Sequence, residues 1–371
     1  MATKTELKKL IKAPVELARN TFKHFYNGGK LRAEFVGEKN PKDDFRSEEW
    51  IFSTNTCNPI GVKNKDPEVL GISRIKTPGG EKILITELLE KLPEETLGQA
   101  HYEKFGPKLG ILVKIFDVGD GAHIPVHWHP SPKFSKKYLK SDYGKNEAWV
   151  VVGTRPSAKA WIGFKEDVPV EDFRRWMEAQ DVEEMRRHMY EVEPKVGDVI
   201  FLRDSQVHSL GSGLCILEPQ EPTDWNILAE WNGYPYTREQ ASQMLGWDTA
   251  IKAAKFEKMD ERYLNDYVMR TPKQARKSNG SVEYDLVPKE ARKYFWLQRQ
   301  VVQGTLPMPG DRGFYCIIGV GGQGELRGPW GARKIKRGKS YFIPVSLPGY
   351  DLVSKGSEPL EVVTCYPPVV K

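Results

Sequence analysis

The segment that decides the fold, residues 121–147, reads G-A-H-I-P-V-H-W-H-P-S-P-K-F-S-K-K-Y-L-K-S-D-Y-G-K-N-E. Side chains alternate between the two faces of an extended strand, so His127 and His129 point to the same side. Glu147 opens the apolar run E-A-W-V-V-V, and His208 lies in V-I-F-L-R-D-S-Q-V-H-S-L. Three imidazoles and one carboxylate can hold a divalent transition metal and leave coordination positions open for a substrate.

Short apolar runs separated by turns predict a mainly β chain. Residues 31–35 (L-R-A-E-F) alternate as a strand does, and residues 108–118 (K-L-G-I-L-V-K-I-F-D-V) form a strand that leads into the histidine segment. Residues 167–192 and 237–279 have helical patterns. After them, short strands at intervals of about 8 to 12 residues predict a second barrel or sandwich. That part contains no histidine, so we expect it to be metal-free.

Composition excludes several classes of function. The 371 residues are 39% hydrophobic, and the net charge of +6 is spread among residues of both signs, which argues against a nucleic-acid partner. The N-terminal sequence M-A-T-K-T-E-L-K-K-L lacks the apolar run of a signal peptide, and no stretch approaches the roughly 20 apolar residues of a membrane span. The four cysteines form no C-x-x-C pair, which indicates buried free thiols. We therefore expect a cytoplasmic protein with no membrane partner.

A lysine-rich loop follows the histidine pair. Its five lysines are Lys133, Lys136, Lys137, Lys140 and Lys145. One interpretation is a solvated loop. The other is an electropositive rim for an anionic substrate such as a sugar phosphate or a carboxylate.

The order of motifs along the chain resembles the type I mannose-6-phosphate isomerase family of the cupin superfamily. The series is L-V-K-I-F-D-V, V-H-W-H-P, G-K-N-E-A-W-V-V, V-G-D-V-I-F-L, V-H-S-L-G-S-G and I-L-E-P-Q, and the resemblance covers residues 27–366. It implies two cupin barrels, each a double-stranded β-helix or jelly roll. Expected parts are an N-terminal segment with a metal-binding barrel (1–235), a helical insert (236–303) and a degenerate, metal-free second barrel (304–371).

The resemblance also implies roles for individual residues. The metal ligands would be His127, His129, Glu147 and His208. The catalytic candidates are Lys145 of the G-K-N-E motif, Glu218 of the L-E-P-Q strand, and Asp224. Candidates for substrate binding are His123, which lies at even spacing before His127, together with Lys133 and Trp225.

Three positions depart from the family pattern. His127 stands where the family has a glutamine, which gives the three-His, one-Glu ligand set usual among cupins. Ser131-Pro132-Lys133 replaces an acidic pair, and Leu228 stands where the family has an arginine that contacts the substrate. Loss of a guanidinium that stabilises developing negative charge implies a replacement cation, a different substrate or lost activity.

The implied function is a metal-dependent aldose–ketose isomerase that converts a sugar phosphate, such as mannose 6-phosphate to fructose 6-phosphate, through a cis-enediol. Its cofactor would be one divalent metal ion, with zinc as the first expectation and manganese, iron, cobalt and nickel as alternatives. Other hypotheses are an isomerase of a different or unphosphorylated sugar, a non-catalytic sugar-binding cupin, and a metal cupin with other chemistry such as an oxygenase. The partner would be a small sugar or sugar phosphate, and the protein a monomer or homodimer.

Overall fold

The computed structural model describes residues 2–370, and antiparallel strands dominate it. In chain order the strands are β1 (Val15–Glu16), β2 (Thr21–Phe22), β3 (Glu48–Phe52), β4 (Arg74–Lys76), β5 (Lys82–Leu84), β6 (Leu112–Asp117), β7 (Ile124–Trp128), β8 (Glu147–Thr154), β9 (Ala160–Phe164), β10 (Met189–Val192), β11 (Val199–Leu202), β12 (His208–Leu210), β13 (Leu214–Gln220), β14 (Ile227–Leu228), β15 (Met269–Arg270), β16 (Lys273–Ser278), β17 (Ser281–Asp285), β18 (Trp296–Val302), β19 (Thr305–Met308), β20 (Tyr315–Gly321), β21 (Gln323–Gly328), β22 (Gly331–Lys336), β23 (Ser340–Ile343), β24 (Tyr350–Ser354) and β25 (Leu360–Tyr366). The predicted mainly β fold is confirmed.

The helices are short and lie between the strands. They are α1 (Lys4–Leu10), α2 (Lys30–Val36), α3 (Ile85–Lys91), α4 (Pro93–Leu97), α5 (Gln99–Phe105), α6 (Pro132–Tyr138), α7 (Val170–Ala179), α8 (Val182–Arg187), α9 (Arg238–Ala241), α10 (Trp247–Ala250) and α11 (Glu261–Tyr263). Single 3₁₀ turns occupy Pro67–Val69, Ile251–Ala253 and Lys289–Lys293, and a π-helical turn occupies Leu264–Val268. Within residues 2–370, no helix has both the length and the apolar character that crossing a membrane requires.

The first pair of sheets carries the histidine segment. A seven-stranded sheet has the order β15-β11-β8-β13-β6-β3-β2, and a five-stranded sheet has the order β10-β9-β12-β7-β14. Apolar side chains of both sheets meet between them, including Trp149 and Ile216 from the larger sheet and Ile162 and Leu210 from the smaller one. This face-to-face packing is that of a β-sandwich or jelly roll.

A second pair of sheets is built mostly from the C-terminal part of the chain. Its seven-stranded sheet has the order β1-β23-β20-β25-β18-β17-β16, and its four-stranded sheet has the order β19-β24-β21-β22. Ile317 and Val362 of the larger sheet pack against Leu326 and Leu352 of the smaller one. The N-terminal strand β1 joins this pair through Val15, which lies opposite Phe342 on β23.

The two seven-stranded sheets also pack against each other through their outer faces. One continuous apolar cluster contains Val113, Val150 and Leu217 from the first pair and Phe342 and Val363 from the second. Strands β6, β8 and β13 are therefore covered on both faces, which explains their nearly uninterrupted apolar sequences. The strand that carries Glu147 is thus held in the middle of the protein.

Residues 31–35, predicted as a strand, are instead part of helix α2. The cause is Asp117 at the end of β6, whose Oδ2 accepts the backbone N–H groups of Gly29 (2.9 Å) and Leu31 (2.6 Å). A carboxylate at this place satisfies N–H groups that have no partner within the helix and complements the helix dipole. The alternation of residues 31–35 gives no sign of a partner 86 residues away.

The helical prediction for residues 167–192 is correct only in part. Helix α7 ends at Gln180, which adopts a left-handed conformation (φ 53°), and α8 is followed by strand β10. The Gln180 side chain fixes this break, since its Oε1 accepts the N–H groups of Trp231 and Asn232 and its Nε2 donates to the carbonyl of Ala229. Pairing of β10 with β9 then overrides the local helical pattern.

The helical prediction for residues 237–279 is also too long. Helical turns end at Val268, and β15 and β16 follow. The sequence of β16, K-Q-A-R-K-S, has no apolar alternation because this edge strand is largely exposed, and its pairing with β17 makes it a strand. Strands β16, β17 and β18 all lie in the second pair of sheets. The division of the chain at residues 235 and 303 stays a prediction.

Gly28 allows the segment before helix α2 to lie close against the end of strand β6. A Cβ added at Gly28 would lie 1.9 Å from the carbonyl oxygen of Asp117, whereas one added at Gly37 would meet nothing within 4 Å. We expect Gly28→Ala to lower the free energy of unfolding by about 3 kcal/mol, because the methyl group pushes the segment off β6. Gly37 has a left-handed backbone conformation but no close neighbour, so Gly37→Ala should lower the free energy of unfolding by only about 1 kcal/mol. Urea unfolding measures both, and equal losses would contradict the close-approach argument.

Candidate metal centre and active site

Three histidines converge between neighbouring strands of the five-stranded sheet. His208 on β12 lies directly opposite His127 on β7, and His129 follows on the same side. Their ring centroids are 4.0 Å (His127–His208), 4.9 Å (His127–His129) and 4.9 Å (His129–His208) apart. One ring nitrogen of each lies within 4.8 Å of the others. This group could hold a metal ion, as the alternation of H-W-H and the later histidine predict.

Hydrogen bonds to the backbone fix the orientation of all three rings. Each Nδ1 lies against a carbonyl oxygen: His127 on Pro125 (2.7 Å), His129 on Trp225 (3.0 Å) and His208 on Gln206 (2.8 Å). A carbonyl can only accept, so each Nδ1 carries the proton and each Nε2 presents a lone pair. Metal-binding histidines are usually held by such partners.

Burial favours the neutral form of His127 and His129. Burial, with the neighbouring His208, lowers the pKa of His127 well below its usual value. Burial, with the ammonium of Lys145, lowers the pKa of His129 to about 3. A neutral imidazole is the form that binds a metal.

Glu147, the fourth predicted ligand, lies beside two of these histidines. Its carboxylate oxygens lie 3.1 Å from Nε2 of His129 and 3.4 Å from Nε2 of His208. Trp149 Nε1 donates a hydrogen bond to Glu147 Oε1 (2.9 Å). Burial opposes the charge of Glu147, but the ammonium of Lys145 holds its pKa well below the usual range.

Two atoms of this group make no hydrogen bond with any residue from 2 to 370: Oε2 of Glu147 and Nε2 of His208. Buried polar atoms without a hydrogen bond are costly, and Oε2 of Glu147 has only the ammonium of Lys145 at 3.2 Å as a counter-charge. Both atoms belong to the residues that would bind a metal. The donor set of three imidazoles and one carboxylate therefore fits a divalent transition metal.

A small cavity of about 50 Å³, here the inner cavity, lies beside the histidines. Its polar lining includes three catalytic candidates, Lys145, Glu218 and Asp224, which the structure thus brings together with His127 and Glu147. Lys145 Nζ donates to Asn226 Oδ1 (2.9 Å) and lies 3.2 Å from Oε2 of Glu147.

Glu218 has an unusual environment in this cavity. Burial, together with the negative charge of Glu147, raises the pKa of Glu218 to about 7 even though Lys114 Nζ lies 3.4 Å away. Its Oε1 accepts no hydrogen bond from residues 2–370. A carboxyl group with a pKa near neutrality can take or give a proton at that pH.

The inner cavity has a second layer of charged residues that the sequence analysis missed. Lys114 lies between Glu218 and Glu48, 3.8 Å from Oε2 of Glu48. Glu48 accepts hydrogen bonds from Tyr26 Oη (2.7 Å) and Trp50 Nε1 (2.9 Å), and His24 also lines the cavity. Despite burial, His24 and Lys114 lower the pKa of Glu48 to about 2. The sequence does contain one sign of this layer, namely Lys114 within the otherwise apolar strand L-V-K-I-F-D.

A larger outer cavity of about 680 Å³ adjoins the inner one. Asp224, Asn226, Leu228 and Tyr236 line both, so these four residues mark the junction. Trp225 lines the outer cavity, and its carbonyl holds His129. A ligand that reached the histidines from the outer cavity would pass this junction.

Comparisons with known proteins agree with this arrangement. No protein-family model matches the chain. A protein of Bacillus subtilis provisionally named mannose-6-phosphate isomerase is 24% identical over 303 residues, which cover 81% of this chain and 86% of that protein. Mannose-6-phosphate isomerase of Streptococcus mutans is 24% identical over 215 residues, 57% of this chain and 58% of that enzyme.

Solved structures of proteins named mannose-6-phosphate isomerase have the same fold as this chain. The mannose 6-phosphate isomerase of Bacillus subtilis superposes with a TM-score of 0.73 at 18% identity, covering 95% of this chain and 99% of that one. A provisionally named mannosephosphate isomerase of Archaeoglobus fulgidus gives 0.71 at 23% identity, covering 97% and 99%. The chain is thus similar in sequence and in fold to proteins named mannose-6-phosphate isomerase. With the S. mutans enzyme, the match spans a little over half of the relative's length.

Leu228, where the resemblance predicts an arginine, lies at the junction of the two cavities. Leu228 lies opposite His127 in the pairing of β14 with β7, is only 4% exposed, and lines both cavities. The wall at this position is therefore apolar where the family pattern has a cation.

Two of the predicted substrate-binding residues lie away from both cavities. His123 precedes β7, which begins at Ile124, so strand alternation does not carry it to the side of His127. Its Nε2 instead contacts Glu230. Lys133 is exposed on α6. The predicted roles of His123 and Lys133 therefore have no support from their positions.

A hydrogen-bonded group behind the site supports the segment that carries Lys145 and Glu147. Between them, Asn146 donates to Glu221 Oε2 from its backbone N (2.9 Å) and from Nδ2 (2.7 Å). Its Oδ1 accepts the N–H of Asp204 (3.2 Å), and the N–H of Ser205 donates to the carbonyl of His129 (2.7 Å). The start of β8, the end of β7 and the loop after β11 are thereby tied together.

Removal of one imidazole tests the metal centre. We expect His127→Ala to weaken metal affinity at least about 100-fold, beyond the effect typical of partners outside the ligand set. His127→Gln, which installs the residue of the family pattern, should retain measurable binding, and His123→Ala should match the unchanged protein. Elemental analysis after dialysis against a metal buffer gives the stoichiometry. Full metal content in folded His127→Ala would contradict the assignment.

Proposed function

We propose that the chain is a metal-dependent aldose–ketose isomerase that acts on a sugar phosphate such as mannose 6-phosphate or fructose 6-phosphate. One observation carries the proposal: the group of His127, His129 and His208 lies beside a buried cavity that His127 and Glu147 line together with Glu218 and Lys145. The relatives named mannose-6-phosphate isomerase support the same reaction class. The single ion would be zinc first, with manganese, iron, cobalt or nickel as alternatives.

His127, His129, His208 and Glu147 would hold that ion. When bound, a divalent metal supplies Lewis-acid polarisation of a sugar carbonyl and its neighbouring hydroxyl. The backbone bonds to the three Nδ1 atoms keep the rings aligned, so little reorganisation is needed when substrate arrives.

Glu218 is the residue best suited to move the proton. Aldose–ketose isomerisation takes a proton from the carbon beside the carbonyl and returns one to the neighbouring carbon, through a cis-enediol. The pKa of Glu218 near 7 suits both halves of that exchange. Lys145 lines the same cavity, and its ammonium would donate to a sugar oxygen. Asp224 lies at the junction of the cavities and would orient sugar hydroxyls.

Leu228 motivates two alternatives, an isomerase of a different or unphosphorylated sugar and a sugar-binding protein without turnover. A panel of hexoses, pentoses and their phosphates, assayed with metal-analysed protein, separates the three. We expect isomerisation of at least one sugar phosphate, its loss after verified chelation, and its return with one equivalent of metal. Full activity in protein shown to be metal-free would overturn the proposal.

Substitution of the proposed base gives a second test. Glu218→Gln keeps the size of the side chain but cannot accept the proton, so kcat should fall by about 100- to 10,000-fold while sugar binding persists. Glu239→Gln, an exposed carboxylate on α9, is the matched control and should leave kcat unchanged. A Glu218→Gln variant with full kcat would remove Glu218 from the reaction.

A further inference from the structure

The outer cavity has a charge pattern that points to how it recognises substrate. Its wall is mostly neutral and able to form hydrogen bonds, through residues such as Thr54, Asn55, Asn58 and Gln243. Among the described residues that line it, the single carboxylate is Asp224, at the junction with the inner cavity, and the single cation is Lys108. A sugar whose carbonyl end lay at the histidines would extend through this junction into the outer cavity.

Lys108 combines a fixed backbone with an uncommitted side chain. Its carbonyl accepts a hydrogen bond from His101 Nε2 (2.9 Å), and the next residue, Leu109, donates its N–H to Thr54 Oγ1 (3.4 Å). The side chain itself is exposed at the cavity. Its ammonium can therefore move within a limited volume at the wall.

The other lysines near the site are already paired or lie elsewhere. Lys145 contacts Glu147 and Lys114 contacts Glu218, both within the inner cavity. Lys136 on α6 pairs with Asp142, outside both cavities. Lys108, in contrast, has no carboxylate within 4 Å among residues 2–370.

We propose that Lys108 is the specificity-determining residue that binds an anionic group, such as a phosphate, at the end of the substrate remote from the histidines. This inference rests on the proposed function. It assigns to an exposed lysine of the outer cavity the charge that Leu228 cannot supply. A hydrogen-bonded ammonium–phosphate contact is stronger than a neutral one and weakens with salt.

The experiment measures binding, so that it does not depend on turnover. Isothermal titration calorimetry on the full chain would use mannose 6-phosphate and mannose as the two probes, at low and high salt. We expect the unchanged protein to prefer mannose 6-phosphate. Lys108→Met should weaken that binding about 10- to 100-fold at low salt, and should leave mannose binding unchanged. Lys108→Arg should restore most of the preference.

Lys104→Met is the matched control, since Lys104 is exposed on α5 four residues earlier and lies outside the outer cavity. It should bind both probes as the unchanged protein does. Equal weakening of both probes by Lys108→Met, no effect of that substitution, no preference for the phosphorylated sugar, or no binding of either probe would each overturn the inference. Selective binding through Lys108 without isomerisation would instead leave it standing and contradict only the proposed reaction.

Discussion

The candidate metal centre depends on the burial of Glu147 beside the imidazoles of His129 and His208. A buried carboxylate destabilises the folded state unless opposite charge or hydrogen bonds replace its hydration. Here the ammonium of Lys145 and the indole N–H of Trp149 satisfy only part of the hydrogen-bonding capacity of Glu147. The oxygen left without a hydrogen bond and the lone pair of His208 point to a cation as the remaining partner. Because each ring is already fixed through its Nδ1, these donors are arranged before any ion arrives.

The scaffold provides rigidity where this group needs it. The seven-stranded sheet that carries Glu147 and Glu218 is packed on one face by the five-stranded sheet of the histidines and on the other by the second pair of sheets. Sites built on strands covered on both faces hold their side chains more precisely than sites on loops. The second pair of sheets, although distant in sequence from the histidines, thus stabilises the platform on which they meet.

Strand alternation and motif order predicted His127, His129, Glu147 and His208 as one group, because these signals are local or keep their order along the chain. The contact of Lys114 with Glu48 could not be predicted, since it depends on which strands become neighbours in the sheet. For the same reason residues 31–35 were misassigned, as their helix depends on Asp117. The role of His123 stays a prediction, since the strand begins at Ile124 and His123 contacts Glu230 instead of a cavity.

His127 strengthens the case for a metal, whereas the apolar Leu228 leaves the substrate open. The metal centre is therefore the claim on which the proposed function depends. The most direct test is anomalous X-ray diffraction from crystals of the metal-loaded protein at the absorption edge of the ion. The account predicts one peak about 2.0 to 2.2 Å from Nε2 of the three histidines and an oxygen of Glu147. A fully loaded protein with its ion bound at other residues would contradict it.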